Sequence, residues 1–120
     1  MTNLRWLKWK ITKYYRNQGL QIHLHSIKLG NTAIDGEVIG NGYRIALEIK
    51  TPRDDVTRGL GQLTEAIAYG YDKAALVTTL NKAKKIKREV FVKNGFILLA
   101  ADSKGKVTNL TADAPVYPRN

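Results

Sequence analysis

The sequence predicts an α/β protein in which a central mixed sheet is flanked by helices, and three observations carry that expectation. Apolar residues near the start recur at the spacing of an amphipathic helix. Stretches with the two-residue period of strands follow, two of them flanking Gly40-Asn41-Gly42. Beyond Pro52, helical and strand-like segments alternate, the pattern of a layered sheet with helical connections.

Residues 3–18 read as the first helix. Leu4, Leu7, Ile11 and Tyr14 or Tyr15 share a face, while Arg5, Lys8, Lys10, Lys13 and Arg16 occupy the remaining surface and Gly19 ends the element. Leu20, Ile22 and Leu24 alternate with Gln21, His23 and His25 as a strand buried on one face. After a turn at Gly30-Asn31, residues 33–39 and 43–50 form two strands joined by the Asn41-Gly42 hairpin. Pro52 stops the second of these. Asp54 or Asp55 then caps a helix to about Gly70, with Val56, Leu60, Leu63 and Ile67 on one stripe. Residues 74–79 form a short apolar strand. A lysine-rich helix over about 82–93 follows, with Ala83, Ile86 and Val90 inward and Asn94-Gly95 at its end. Residues 96–100 are a buried strand and 107–110 a short edge strand, which gives the order αβββαβαβ. The 120 residues suit a single domain with its core over about 3–100 and a loose tail over 111–120, marked by Pro115 and Pro118.

Charge narrows the class of partner. Twenty Lys and Arg face ten Asp and Glu, a formal +10, and no acid precedes Asp35. Such a surface attracts polyanions through phosphate contacts that read no sequence, although a merely solubilising surface is the competing account. No run approaches the roughly 18 apolar residues of a membrane span, so no membrane association is expected. The lack of a secretory cleavage pattern and of any cysteine fits an intracellular, cytoplasmic setting.

The hairpin brings acids together. With Asn41 and Gly42 central to the turn, Gly40 faces Tyr43, and extending that pairing sets Asp35 opposite Glu48. Ile34 with Ile49, Gly36 with Leu47 and Val38 with Ile45 then point to the core, while Asp35, Glu37, Glu48 and Lys50 share the other face. Opposed carboxylates destabilise a sheet unless something offsets them. A divalent cation such as Mg²⁺ or Mn²⁺ does so through oxygen ligands; Lys50 alone is the alternative.

Asp35, followed after twelve residues by Glu48-Ile49-Lys50 on consecutive strands behind a helix and a strand, resembles the PD-(D/E)XK nuclease superfamily. Ile34 stands where that family's name has proline. The segment from Thr51 through Ala66 is similar to the helix that follows this motif in archaeal-virus nucleases and in relatives of Holliday junction resolvases and RecB-type nucleases, and Gln62 matches their glutamine near the metal. The resemblance spans about residues 3–80. It implies a restriction-endonuclease-like αβββαβ core and a Mg²⁺-dependent deoxyribonuclease leaving 5′-phosphates. The ligands would be Asp35, Glu48 and the Ile49 carbonyl, with Lys50 and Gln62 completing the catalytic set. Many relatives add a glutamate on the first helix, which this chain lacks, so the number of metals is open. A polar helix flank is the simpler account of Gln62. Arg58, Gln62, Glu65 and Tyr69 lie at spacings that allow one shared cleft. Glu37, Asp54 and Asp55 are further ligand candidates, the last two also being natural helix caps.

Arg53, Arg58, Lys8, Lys13, Lys84 and Lys87 are the residues expected to hold the DNA backbone. Branched DNA, cut by a homodimer with two sites, is the first expectation for substrate and assembly. Ends, flaps or single strands are the alternative within the class, with host cytoplasm as the setting if the chain is viral, and a non-catalytic nucleic-acid-binding protein of the same fold is the alternative outside it. Three weaker signals are set aside. Gly59-Leu60-Gly61 opens like a dinucleotide fingerprint but has Thr64 at the third position, and reads as close approach of the helix to sheet or DNA. His23 and His25 lack further zinc ligands. Trp6, Trp9, Tyr14 and Tyr15 offer stacking surfaces, with core or dimer packing expected for at least half of them.

Overall fold

The computed structural model describes residues 4–112, so the start of the first helix at residue 3 and residues 113–120 of the expected tail lie outside the described residues. Twelve elements occur among the described residues, in the order α1 (Leu4–Arg16), β1 (Gln21–His23), β2 (Ile27–Leu29), β3 (Thr32–Ile34), β4 (Gly36–Gly40), β5 (Tyr43–Ile49), α2 (Val56–Ala68), β6 (Lys73–Thr79), α3 (Leu80–Ala83), α4 (Arg88–Asn94), β7 (Ile97–Ala101) and β8 (Val107–Asn109). Six strands form one mixed sheet in the order β1-β4-β5-β6-β7-β8. β5, β6 and β7 are parallel neighbours, and the remaining pairs are antiparallel. The architecture is mixed α/β with a central six-stranded sheet flanked by helices, compatible with a restriction-endonuclease-like fold.

Apolar surface is buried on both sides of the sheet. On one side α1 packs Leu7, Ile11 and Tyr15 against Val38, Ile45, Leu47 and Ile49. On the other, Leu63 and Ala66 of α2 join Ala83, Phe91, Ala46, Leu76 and Leu98. Central parallel strands with both faces covered read as continuous apolar runs, and β6 is buried over Ala74–Thr79. The sequence-based expectation placed the core on a single face of the hairpin. The face that carries Glu48 is covered too, by α2.

The hairpin register follows the expectation from Gly40 opposite Tyr43 to Gly36 opposite Leu47. Gly42 adopts φ 80, which glycine reaches without the steric penalty of a Cβ. At Asp35 the strand stops. The expected strand over 33–39 is two, because β3 pairs with β2 in a separate small hairpin through Gly30-Asn31. The bend also sends Ile34 to the α2 side of the sheet, away from the α1-side cluster that holds Ile49. Gly36 sits at this corner, where a Cβ would lie 2.5 Å from the His23 carbonyl oxygen. A glycine there lets the two chain segments touch.

Two helices differ from expectation. The buried stripe of α2 centres on Gly59, Leu63 and Ala66, with Ile67 exposed. The expected helix over 82–93 is broken between α3 and α4, which buries Phe91 and leaves Val90 exposed. Burying the larger aromatic recovers more apolar area. Thr111, placed in the expected tail, is tied to the sheet by accepting from the Leu98 amide at 3.3 Å.

Candidate active site

The site forms where β5 ends and α2 begins. Leaving the ladder at Asp35 frees its side chain to turn back on β5. Its amide donates to the Leu47 carbonyl at 3.0 Å, and its Oδ2 accepts from the Ile49 amide at 2.7 Å. Asp35 is therefore pinned beside Glu48 by backbone bonds rather than by strand pairing, which corrects the expected direct opposition. β5 continues into its parallel pairing, with the Lys50 amide donating to Val77 O at 2.8 Å.

Glu48 is the unusual residue of the site. Its side chain is 1% exposed, and its Oε1 has no hydrogen-bond partner among the described residues. Its Oε2 lies 3.5 Å from Lys50 Nζ. Burial first, and the neighbouring Asp35 second, push its carboxyl up to about 7 against the opposing pull of Lys50. A buried carboxylate oxygen with no partner is costly, and it marks a place where a ligand would be stabilised.

Lys50 is held in turn. Its Nζ donates to Gln62 Oε1 at 3.4 Å, and Gln62 Nε2 donates to the Ala33 carbonyl at 2.8 Å, so the amide orientation is set by β3. Gly59 makes room for this arrangement. A Cβ there would lie 2.9 Å from both Lys50 Cε and Leu76 Cδ1. The close approach is thus to the sheet, whereas Gly61 has open space around it.

These residues line a cleft of about 440 Å³ together with Leu4, Lys8, Arg53, Asp54, Asp55 and Arg58. Asp55 caps α2 by accepting from Thr57 N at 2.9 Å, and Asp54 accepts from Thr51 N at 2.7 Å. Both are thus engaged by backbone donors. Glu37 is engaged by Tyr71, whose hydroxyl donates to it at 2.7 Å, and does not line the cleft. Glu65 and Tyr69 border a separate depression with Leu29 and Thr32, so the expected four-residue row on α2 divides after Gln62.

Of the six cationic residues expected to hold DNA, Lys8, Arg53 and Arg58 line this cleft. Lys13 lines a different groove, and Lys84 and Lys87 cap the short helices α3 and α4. The sequence reading passed over Lys82, which donates to the Pro52 carbonyl at 3.0 Å and so ties α3 to the loop after β5. A lysine in a run of lysines gives no sign of that partner. His23 and His25 are exposed, with ring centroids 6.5 Å apart, and no group of three or more metal-ligating side chains occurs among the described residues.

The donor set fits one divalent cation. Two adjacent carboxylates, one with an orphaned oxygen, match the one or two protein carboxylates that Mg²⁺ takes when water and phosphate complete its shell.

No family model and no curated protein matches the sequence. Solved structures do resemble it. An FdxN element excision controlling factor protein from Anabaena variabilis aligns with a TM-score of 0.62 at 17% identity, over 87% of this chain and 96% of that one. A protein of unknown function from Silicibacter pomeroyi aligns with a TM-score of 0.67 at 15% identity, over 92% and 70%. An XisH family protein from Nostoc punctiforme aligns with a TM-score of 0.56 at 17% identity, over 86% and 96%. At these identities the likeness is one of fold, a mixed α/β architecture shared over 86–92% of this chain.

Proposed function

We propose that this protein is a metal-dependent DNA endonuclease that hydrolyses phosphodiester bonds. The observation that carries the reading is the buried Glu48 carboxylate, with its orphaned oxygen set against Asp35 and with Lys50 held beside it by Gln62. Asp35, Glu48 and the Ile49 carbonyl would hold Mg²⁺, with Mn²⁺ able to substitute. A cation held there would supply Lewis acidity toward the phosphate and would lower the pKa of a water. Lys50 then stabilises charge on the phosphate oxygens, and its fixed position costs no reorganisation when that charge develops. Gln62 is a positioning residue for Lys50. Lys8, Arg53 and Arg58 bind the flanking backbone, and each guanidinium can grip phosphate through two parallel hydrogen bonds.

The cleft is lined by four acids and four bases, so the surplus positive charge of the chain lies elsewhere on the surface and is available to a long polyanion. Selectivity for DNA structure, with Holliday junction resolvase-like action by a homodimer, accords with a chain this small. A two-fold would supply the paired sites that symmetric cutting requires.

The test is cleavage of a four-way junction, a flap, a linear duplex and a single strand in Mg²⁺ or Mn²⁺, with Glu48→Ala as control. The variant is expected to lose at least 100-fold in rate. Equal cutting of all four forms removes structure selectivity and keeps the nuclease. Calorimetry without metal binding, together with unchanged behaviour of Asp35→Ala and Glu48→Ala on DNA, would leave a nucleic-acid-binding protein without chemistry.

A further inference from the structure

A second feature lies along α1, outside the catalytic set. Trp9 is 54% exposed, an unusual state for so large an apolar side chain on a helix whose Leu7, Ile11 and Tyr15 are buried. Two ammonium groups stand over its ring, Lys10 Nζ at 4.1 Å and Lys13 Nζ at 5.1 Å from the centroid. Beside it, Lys10, Lys13, Tyr14 and Asn17 form a groove with Gly105 and Lys106 of the β7–β8 turn and with Val107, and no acid among the described residues lines it. Gly105 adopts φ 86, which favours glycine, and the end of the Lys10 side chain lies against it. The same helix reaches the catalytic cleft through Leu4 and Lys8. From Lys8 to Lys13 the helix rises about 7.5 Å and turns by about 140°, so a backbone running from one to the other passes around the helix.

We infer that α1 carries a binding site for unpaired DNA, in which a base stacks on Trp9 while its phosphates lie against Lys10, Lys13 and Lys106. The inference rests on the nuclease reading and adds to it the form of DNA received. A duplex hides its base faces within the stack, so a lateral indole has nothing to stack on there, whereas a single strand offers a face at every base. Lysines clustered around an exposed indole suit that chemistry on both counts, since the ring takes the base and the cations take the backbone. Within structure-selective cleavage this favours, over an intact four-way junction, DNA with a single-stranded segment next to the scissile bond, such as a flap or a free end.

The test is binding without divalent metal, so that it is separate from cleavage. Affinity for a 12-nucleotide oligothymidylate and for a 12-base-pair blunt duplex is measured for the parent, Trp9→Ala and Trp9→Phe. Stacking contributes about 1–3 kcal/mol per base, so Trp9→Ala is expected to weaken single-strand binding by roughly 5- to 150-fold. Duplex binding should stay within about twofold, and Trp9→Phe should restore most of the loss. Lys13→Ala should lower the salt slope for the oligothymidylate by about 0.7. Unchanged single-strand affinity in Trp9→Ala overturns the inference. So does equal weakening on both DNA forms accompanied by loss of an oligomer in sedimentation, which would make Trp9 a contact between copies. Loss of cleavage reading in Glu48→Ala bears on the nuclease alone, and the stacking result stands apart from it.

Discussion

At Glu48 the candidate site works against stability. In an unfolded chain its carboxyl ionises near 4.5, and in the folded protein burial and Asp35 push it up to about 7. The folded state therefore binds the extra proton between those values. The stabilising contribution is complete below about pH 4.5 and is lost as pH rises through about 7. At pH 8 the ionised group costs on the order of 3 kcal/mol in the metal-free protein. Glu48→Gln keeps the shape and removes the charge, so it should raise the melting temperature by several degrees at pH 8 and by little at pH 4. Thermal denaturation at both pH values reads this, and equal melting at pH 8 would contradict it. A cation that binds the pair expels the proton, so calorimetry near pH 7 in buffers of different ionisation enthalpy should show proton release. Strand alternation puts Glu48 and Lys50 on one face and the hairpin brings Asp35 near them, whereas Gln62 joins the group only through the family resemblance, since no local rule reaches from α2 to Lys50. Lys82 was not legible in the sequence, since its contact with Pro52 O arises only from how α3 docks.

At the level of elements, α2 carries two glycines whose roles are opposite. Gly59 faces Lys50 and Leu76 with no space for a methyl group, while Gly61 is exposed to open space. Gly61→Ala should stabilise the protein by up to about 1 kcal/mol through helix propensity, leaving cleavage unchanged. Gly59→Ala gains the same propensity but must displace the Lys50 stem or the buried Leu76, so cleavage should fall at least tenfold with little or no gain in stability. Paired melting curves and cleavage rates separate the two, and equal effects at both sites would refute the assigned division. The same logic explains where element boundaries escaped the sequence. Strand alternation over 33–39 continues unbroken through Asp35, yet the chain bends there because Ile34 belongs to the α2-side core and Val38 to the α1-side core. The break between α3 and α4 likewise follows from which apolar residue, Phe91 or Val90, the sheet has room to bury. Both choices are made by tertiary packing, which overrides local period.

For the molecule as a whole, net charge and cleft geometry act on different quantities. A surplus of ten positive charges speeds encounter with any polyanion, while on the proposed function Lys8, Arg53 and Arg58 at the cleft would fix where the backbone sits. Three such contacts predict a slope of about −2.7 for the logarithm of duplex affinity against the logarithm of salt. Arg58→Ala should reduce the slope by about 0.9, and an unchanged slope would place the contact elsewhere. The fold class was readable from the order of elements, and the sheet order was not, because parallel pairing of β5, β6 and β7 joins segments distant in sequence. The two edges of that sheet have a further consequence. β1 and β8 are each three residues long, bordered by His23 and Gln21 on one side and by Lys106 and Asn109 on the other. Strands so short offer little backbone for another chain to extend, which guards the protein against edge-to-edge aggregation at the concentrations that a charged surface permits. If two copies pair, they are steered toward meeting through helices and side chains, and a continuous sheet running from one molecule into the next is the least favoured way to join them.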